Sequence, residues 1–249
     1  MRLDWEQDQH WEQTHAYEEE QSQDRRRTAP WLYSPTATAP TIQDMSDTLS
    51  HRSLLLAIAV EGGLAVVAFA IGWLFGYWPA IGMGWASPAA SEQLEAIGLG
   101  VIATLPPLVA LVILDRVPIA PLDRVRQIAE YAIREMFPNP RLWQLALVAA
   151  MAGLGEELLF RGLVQAGLAR LIGGVAGVWI ALVIASLVFG VFHWLSTTYA
   201  LLAALAGVYF GWLLIATGSL WPPIVAHALY DFVALWYLLR PNQMLGLQV

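Results

Sequence analysis

From Ser53 to Leu239 the chain is a succession of apolar runs, most of them close to the length a helix needs to cross a bilayer. A hydrocarbon core about 30 Å thick takes roughly 20 residues of helix. Inside it, only helices and closed barrels can satisfy their own backbone. Six runs read as spans: 53–78, 94–114, 141–171, 176–195, 198–216 and 220–239. The fold class that follows is all-α, a polytopic membrane helix bundle of about six transmembrane helices. With 57% hydrophobic and 13% charged residues, the chain does not read as an ordinary soluble domain.

One further helix is expected at the membrane surface. Between Leu122 and Phe137, apolar residues recur at Leu122, Val125, Ile128, Ala129, Ala132, Ile133 and Met136, with Arg124, Arg126, Glu130, Arg134 and Glu135 opposite. That spacing makes an amphipathic helix suited to the interface. Residues 1–50 read as a disordered acidic tail, with ten acidic residues against four Arg. They hold too little apolar surface to offset the entropy of ordering. Within them, 28–41 carries Pro30, Pro35 and Pro40 and reads as an extended linker, while Trp5 and Trp11 could dock a partner. No basic flank followed by a short apolar run marks a cleavable signal, so the first span is expected to remain. Residues 51–249 then form the membrane domain, with 141–240 as a catalytic four-helix core.

Arginine placement sets the orientation. Arg25, Arg26, Arg27 and Arg52 precede the first span. Arg116, Arg124, Arg126, Arg134 and Arg141 lie between the second and third, and Arg240 follows the sixth. Six spans with both termini in the cytoplasm satisfy these positions; Arg170 alone runs against the rule. A bacterial-type plasma or internal membrane is the expected location. Gly72 with Gly76 and Gly207 with Gly211 have the spacing that lets helices approach closely, read here as packing within the bundle.

Two adjacent glutamates, Glu156 and Glu157, interrupt one of the most apolar stretches, followed by Arg161. An ionisable group at the centre of a bilayer costs at least ~2.5–3.5 kcal/mol on insertion scales, so it marks a functional site by default. Neighbours on an α-helix diverge by ~100°, so the two glutamates cannot both point straight at one centre. Glu157 and Arg161 are four apart and read as an ion pair supporting the helix. Glu156 is then left to face a cavity as a general base, toward His193 and His227 on later spans. His227 and Asp231 are also four apart, and Asp231 can orient the imidazole. Phe189 shares a face with His193 and is expected to pack against a neighbouring helix, fixing the display of that histidine. Glu61, in the first span, has no local partner; it sits at a helix interface or lines a cavity. His193 falls near one end of the fourth span and His227 near the opposite end of the sixth. They meet if the fourth span continues past Leu195 or the sixth starts in a water-filled recess. The site is expected within the membrane, in a cavity opening toward the cytoplasm.

The chain has no Cys and no Lys. Disulfides, a thiol nucleophile, thiolate metal sites and a lysine base are thereby excluded.

Glu156-Glu157-x-x-x-Arg161, Phe189-x-x-x-His193 and His227-x-x-x-Asp231, in that order on successive apolar helices, resemble the motifs of the CPBP family. That family comprises the CAAX prenyl proteases and bacteriocin-processing enzymes. Phe160-Arg161-Gly162 and Thr217-Gly218-Ser219-Leu220 add to the likeness, which covers about 141–240. The resemblance implies a glutamic-type intramembrane peptidase without cofactor or metal. In such an enzyme Glu156, helped by His193, activates a water, His227 and Asp231 stabilise the oxyanion, and Glu157 and Arg161 support the site. Prenyl proteases usually have Asn where this chain has Asp231. An ionised Asp cannot donate to an oxyanion, so Asp231 is either protonated or orients His227. The implied partners are the lipid bilayer and a peptide or membrane-protein substrate, with or without a lipid modification, and no nucleic acid.

Two other functions fit the same residues. Glu156, His193, His227 and Asp231 could bind a divalent ion that activates the water, although the HExxH spacing of helical zinc proteases is absent. Alternatively the chain is a non-enzymatic transporter or adaptor with a buried Glu/His proton relay, against which the spans show no convincing inverted repeat.

Overall fold

The computed structural model describes residues 42–81, 83, 90–138 and 140–240, with side chains from residue 52 onward. The chain divides into two units, Met1–Met45 and Ser46–Val249, and the second holds everything discussed below. The expected tail lies outside the described residues except for 42–50, which is helical and opens the first helix. The linker over 28–41 and both tryptophans of the tail lie outside as well.

Among the described residues the structure is helical, without strands. The helices are α1 (Ile42–Leu74), α2 (Ala90–Ala103), α3 (Leu105–Arg116), α4 (Ala120–Met136), α5 (Leu142–Glu156), α6 (Ala166–Ile172), α7 (Gly174–Phe192), α8 (Thr197–Thr217) and α9 (Trp221–Leu238). A π-helical segment, Glu157–Gln165, joins α5 to α6. Helices α5 and α9 pack together, α7 and α8 form an antiparallel pair, and α2 lies along α9.

Four stretches are long and apolar enough to cross a membrane: Arg52–Leu74, Ala90–Arg116, Gly174–Phe192 and Thr197–Thr217. Their outer faces expose large apolar side chains, among them Leu55, Leu56, Val66, Val101, Val183, Leu187, Leu201 and Leu205. A surface of that kind suits hydrocarbon and not water. The other two expected spans, 141–171 and 220–239, are helical but fall outside this group. The first is divided among α5, the π segment and α6, and both carry the polar residues of the candidate site.

The second span is broken at Thr104, whose hydroxyl donates to the Gly100 carbonyl at 3.0 Å. Pro106 and Pro107 follow at the start of α3, where a missing N–H is tolerated. Helix α4 has the expected amphipathic face. Its Ile133 packs beside Phe137 on the buried cluster of Leu54, Phe137 and Val148. Three of the polar residues set on the opposite face by the sequence are not free. Arg126 Nε lies 2.9 Å from Asp115 Oδ1. Arg134 pairs with Glu130 and also donates to the Leu238 carbonyl at 3.1 Å. Tyr237 donates to Asp115. These contacts tie α4 to the ends of α3 and α9.

Close helix approach depends on glycine before the glutamate pair. A Cβ on Gly153 would come within 2.8 Å of the Ala228 nitrogen on α9, and one on Gly155 would clash with the Glu61 carbonyl of α1. The two glycines therefore let α9 and α1 press on α5 just below Glu156. Gly207 and Gly211 serve similarly, packing α8 against Ser186 of α7 and Gln165 of the π segment.

Candidate active site

The first turn of the π segment begins at Glu157, immediately after the pair's first glutamate. Segments of this kind are rare and occur often at functional sites. The wider turn changes how side chains project, and it does so between the two carboxylates. Glu156 Oε2 lies 3.5 Å from His193 Nε2, at the C-terminal end of α7. Glu157 Oε1 lies 2.8 Å from His227 Nδ1, on α9, and 3.1 Å from Arg161 Nη1. The expected Glu157–Arg161 contact is thus present, with a histidine added to it.

The expected contact of Glu156 with His193 is made, and His227 is near enough to act on Glu156 electrostatically while taking its closest contact from Glu157. Each glutamate takes its own: Glu156 contacts His193, and Glu157 contacts His227. The ~100° divergence of neighbouring residues is what separates them. Helices α7 and α9 each supply one histidine.

Glu156 reaches His193 although α7 ends at Phe192, short of the continuation past Leu195. Helix lengths bring the glutamate pair and His193 to comparable depth. α5, the π segment and α6 have 15, 9 and 7 residues, roughly 45 Å of rod at ~1.5 Å per residue. From the turn at Gly173 back to Glu157 is roughly 24 Å, and from the same turn along α7 to His193 roughly 30 Å, so the two reach similar levels.

Burial divides the site into two layers. Inside, the side chains of Glu157, Arg161 and His227 are 0%, 1% and 5% exposed. Outside, His193 and Asp231 are 25% and 29% exposed, and Glu156 stands between the layers at 10%. The inner layer is closely bonded. Arg161 donates to the Gly207 carbonyl of α8 at 3.1 Å, and Gln165 donates to the Gly211 carbonyl at 3.0 Å. A buried arginine held by a carboxylate and a carbonyl is a fixed charge, costly to leave unpaired.

The histidine tautomers follow from their neighbours. His193 Nδ1 is 2.9 Å from the Phe189 carbonyl, which can only accept, so Nδ1 carries the proton and Nε2 is left for Glu156. His227 has a carboxylate at each nitrogen: Glu157 at Nδ1, and Asp231 Oδ2 at 3.4 Å from Nε2. Among the described residues no group of three or more His, Asp or Glu is arranged to hold a metal ion.

Phe189 is more central than its sequence spacing suggests. It stacks on the His193 ring with centroids 4.3 Å apart and meets Phe160 edge-on at 5.0 Å. The Arg161 guanidinium lies over its face at 4.3 Å. Two aromatic neighbours went unnoticed in the sequence. Phe210 of α8 stacks on His227 at 4.8 Å, and the Tyr199 ring lies 6.5 Å from His193. Neither carries a signal in the chain, since an aromatic residue in an apolar helix looks like any packing residue.

Residues 138–233 match the protein family described as Type II CAAX prenyl endopeptidase Rce1-like. Over this segment the chain is similar to that family. The matched stretch holds every site residue from Glu156 to Asp231 and leaves α1 to α4 outside it. It supports a CAAX-type intramembrane endopeptidase in general terms: a hydrolase, integral to the membrane, acting on a peptide there. No curated protein and no solved structure matches the chain.

Proposed function

We propose that the Rce1-like segment is a glutamic-type intramembrane peptidase in which Glu156 and His193 activate the attacking water. The observation that carries this reading is the partly open Glu156–His193 contact standing beside a sealed Glu157–Arg161–His227 layer. The His193 side of this pair, 25% exposed, is where water and a peptide carbonyl can enter. The sealed layer holds fixed charges in a low-dielectric setting, where they act on a developing charge without reorganising.

In the proposed reaction Glu156 takes a proton from water while His193 Nε2 helps orient it. The water oxygen forms a bond to the substrate carbonyl carbon, and the carbonyl oxygen gains the electron pair. His227 Nε2 supplies the hydrogen bond to that oxyanion, with Glu157 holding Nδ1 and Asp231 orienting the ring. Collapse of the tetrahedral intermediate breaks the C–N bond, and the proton on Glu156 passes to the departing amine. This assigns Asp231 to orientation instead of donation, in keeping with its distance from His227. The substrate class is a peptide with a lipid-modified C-terminal segment, delivered from the bilayer. The arginine pattern supports both termini in the cytoplasm.

The decisive experiment uses purified full-length protein in detergent with a quenched-fluorescence peptide ending in a farnesylated CAAX sequence. Wild type should cleave it. Glu156→Gln should lose at least ~10²-fold in kcat with its thermal unfolding unchanged, the scale of a lost general base. Wild-type cleavage by Glu156→Gln would refute the assignment.

A further inference from the structure

Helix α1 lies outside the Rce1-like segment, yet it brings one carboxyl group to the active site. Glu61 and Glu156 act on one another electrostatically. Oε2 of Glu61 and Oε2 of Glu156 are both buried, and neither has a hydrogen-bond partner. His227 and Asp231 are also near enough to act on Glu61 electrostatically.

The backbone is built for this approach. The Glu61 carbonyl rests on the Cα of Gly155, one residue before Glu156, where any Cβ would clash. On the next residue of α1, a Cβ at Gly62 would come within 2.7 Å of the Met151 methyl. Small residues thus adjoin the glutamate on both helices, and they bring the two carboxyl-bearing segments together. Two carboxyls at one site cannot both ionise cheaply, so they share a proton. A lone packing residue at position 61 would need no charge at all.

Resting on the proposed role of Glu156, we infer that Glu61 is a positioning residue of the active site: it shares one proton with Glu156 and holds that carboxyl turned toward His193. The proton bridging the two carboxyls fixes the orientation of Glu156 before water binds. Helix α1 is then part of the catalytic unit, and the Rce1-like segment without α1 is incomplete.

The test uses the full chain and the same farnesylated quenched peptide. Glu61→Leu should lower kcat by on the order of 10²-fold, the scale of a misplaced reacting group, with KM within about twofold. Glu61→Gln keeps an N–H donor for Glu156 and should restore most of the loss. Wild-type kcat in Glu61→Leu, or equal damage from Glu61→Leu and Glu61→Gln, would overturn the inference. A double-mutant cycle on thermal unfolding, with Glu61→Gln and Glu156→Gln singly and together, reads the contact without substrate and without depending on the folding of Glu61→Leu. Non-additive shifts in Tm are expected, and additive shifts would overturn the pairing. Failure of the peptidase reading looks different: Glu156→Gln would then cleave like wild type, whatever Glu61 does.

Discussion

Glu157 and His227 face each other across the interface of the π segment with α9 at 2.8 Å, seventy residues apart in the chain and closed off from solvent. With Arg161 on the same carboxylate oxygen, they make one electrostatic unit spanning the π segment and α9. This relationship gives Glu157 a second task. It neutralises a buried arginine, and it also fixes which nitrogen of His227 is turned toward the outer layer.

Glu157→Gln therefore damages more than Glu156→Gln does. Removing one partner of a buried ion pair costs ~3–5 kcal/mol, because the other is left uncompensated. We expect a large drop in Tm for Glu157→Gln and little change for Glu156→Gln, although both lose activity. Equal stability losses, measured by thermal unfolding in detergent, would remove the distinction between support and base.

Asp231 tests the oxyanion assignment. If it only orients His227, an amide oxygen can accept in its place, and Asp231→Asn should keep kcat/KM within about tenfold. Asp231→Leu frees the ring and should lose roughly 10²–10³-fold, comparable to the loss of an oxyanion donor. An inactive Asn variant beside an active Leu variant would contradict the orienting role.

The aromatic cage around the histidines separates stability from rate. Phe189→Leu keeps an apolar side chain but removes the ring stacked on His193, so kcat should fall with KM nearly unchanged. Phe210 is 1% exposed, and Phe210→Ala should cost ~3–5 kcal/mol as a core deletion. Steady-state kinetics and unfolding curves on the two variants distinguish these outcomes.

Chelation addresses the metal alternative directly. With both nitrogens of His227 directed at carboxylates, cleavage of the farnesylated peptide should persist at the wild-type rate after dialysis against strong chelator. Activity lost there and restored by a divalent cation would reverse this view of the site.

The chain determined its helical membrane character, because spans of apolar residues are a local property that needs no knowledge of neighbours. Glu156, Glu157, Arg161, His193, His227 and Asp231 were legible for a related reason: polar residues in apolar helices stand out against a costly background, and Phe189 was legible only through its spacing to His193. The i,i+4 contact of Glu157 with Arg161 was legible too, since helical spacing alone brings those side chains together. What spacing could not reveal was which histidine each glutamate meets, because that depends on where α7 and α9 cross the glutamate helix and on a π turn opening between the two carboxyls. Glu61 was visible as an isolated charge but had no partner until Gly155 let α1 close on α5. Phe210 and Tyr199 had no signature at all, because ring stacking is decided by the packing of one helix on another. Residue type and period fixed which groups had to be explained, and only the crossing of the helices decided which of them touch.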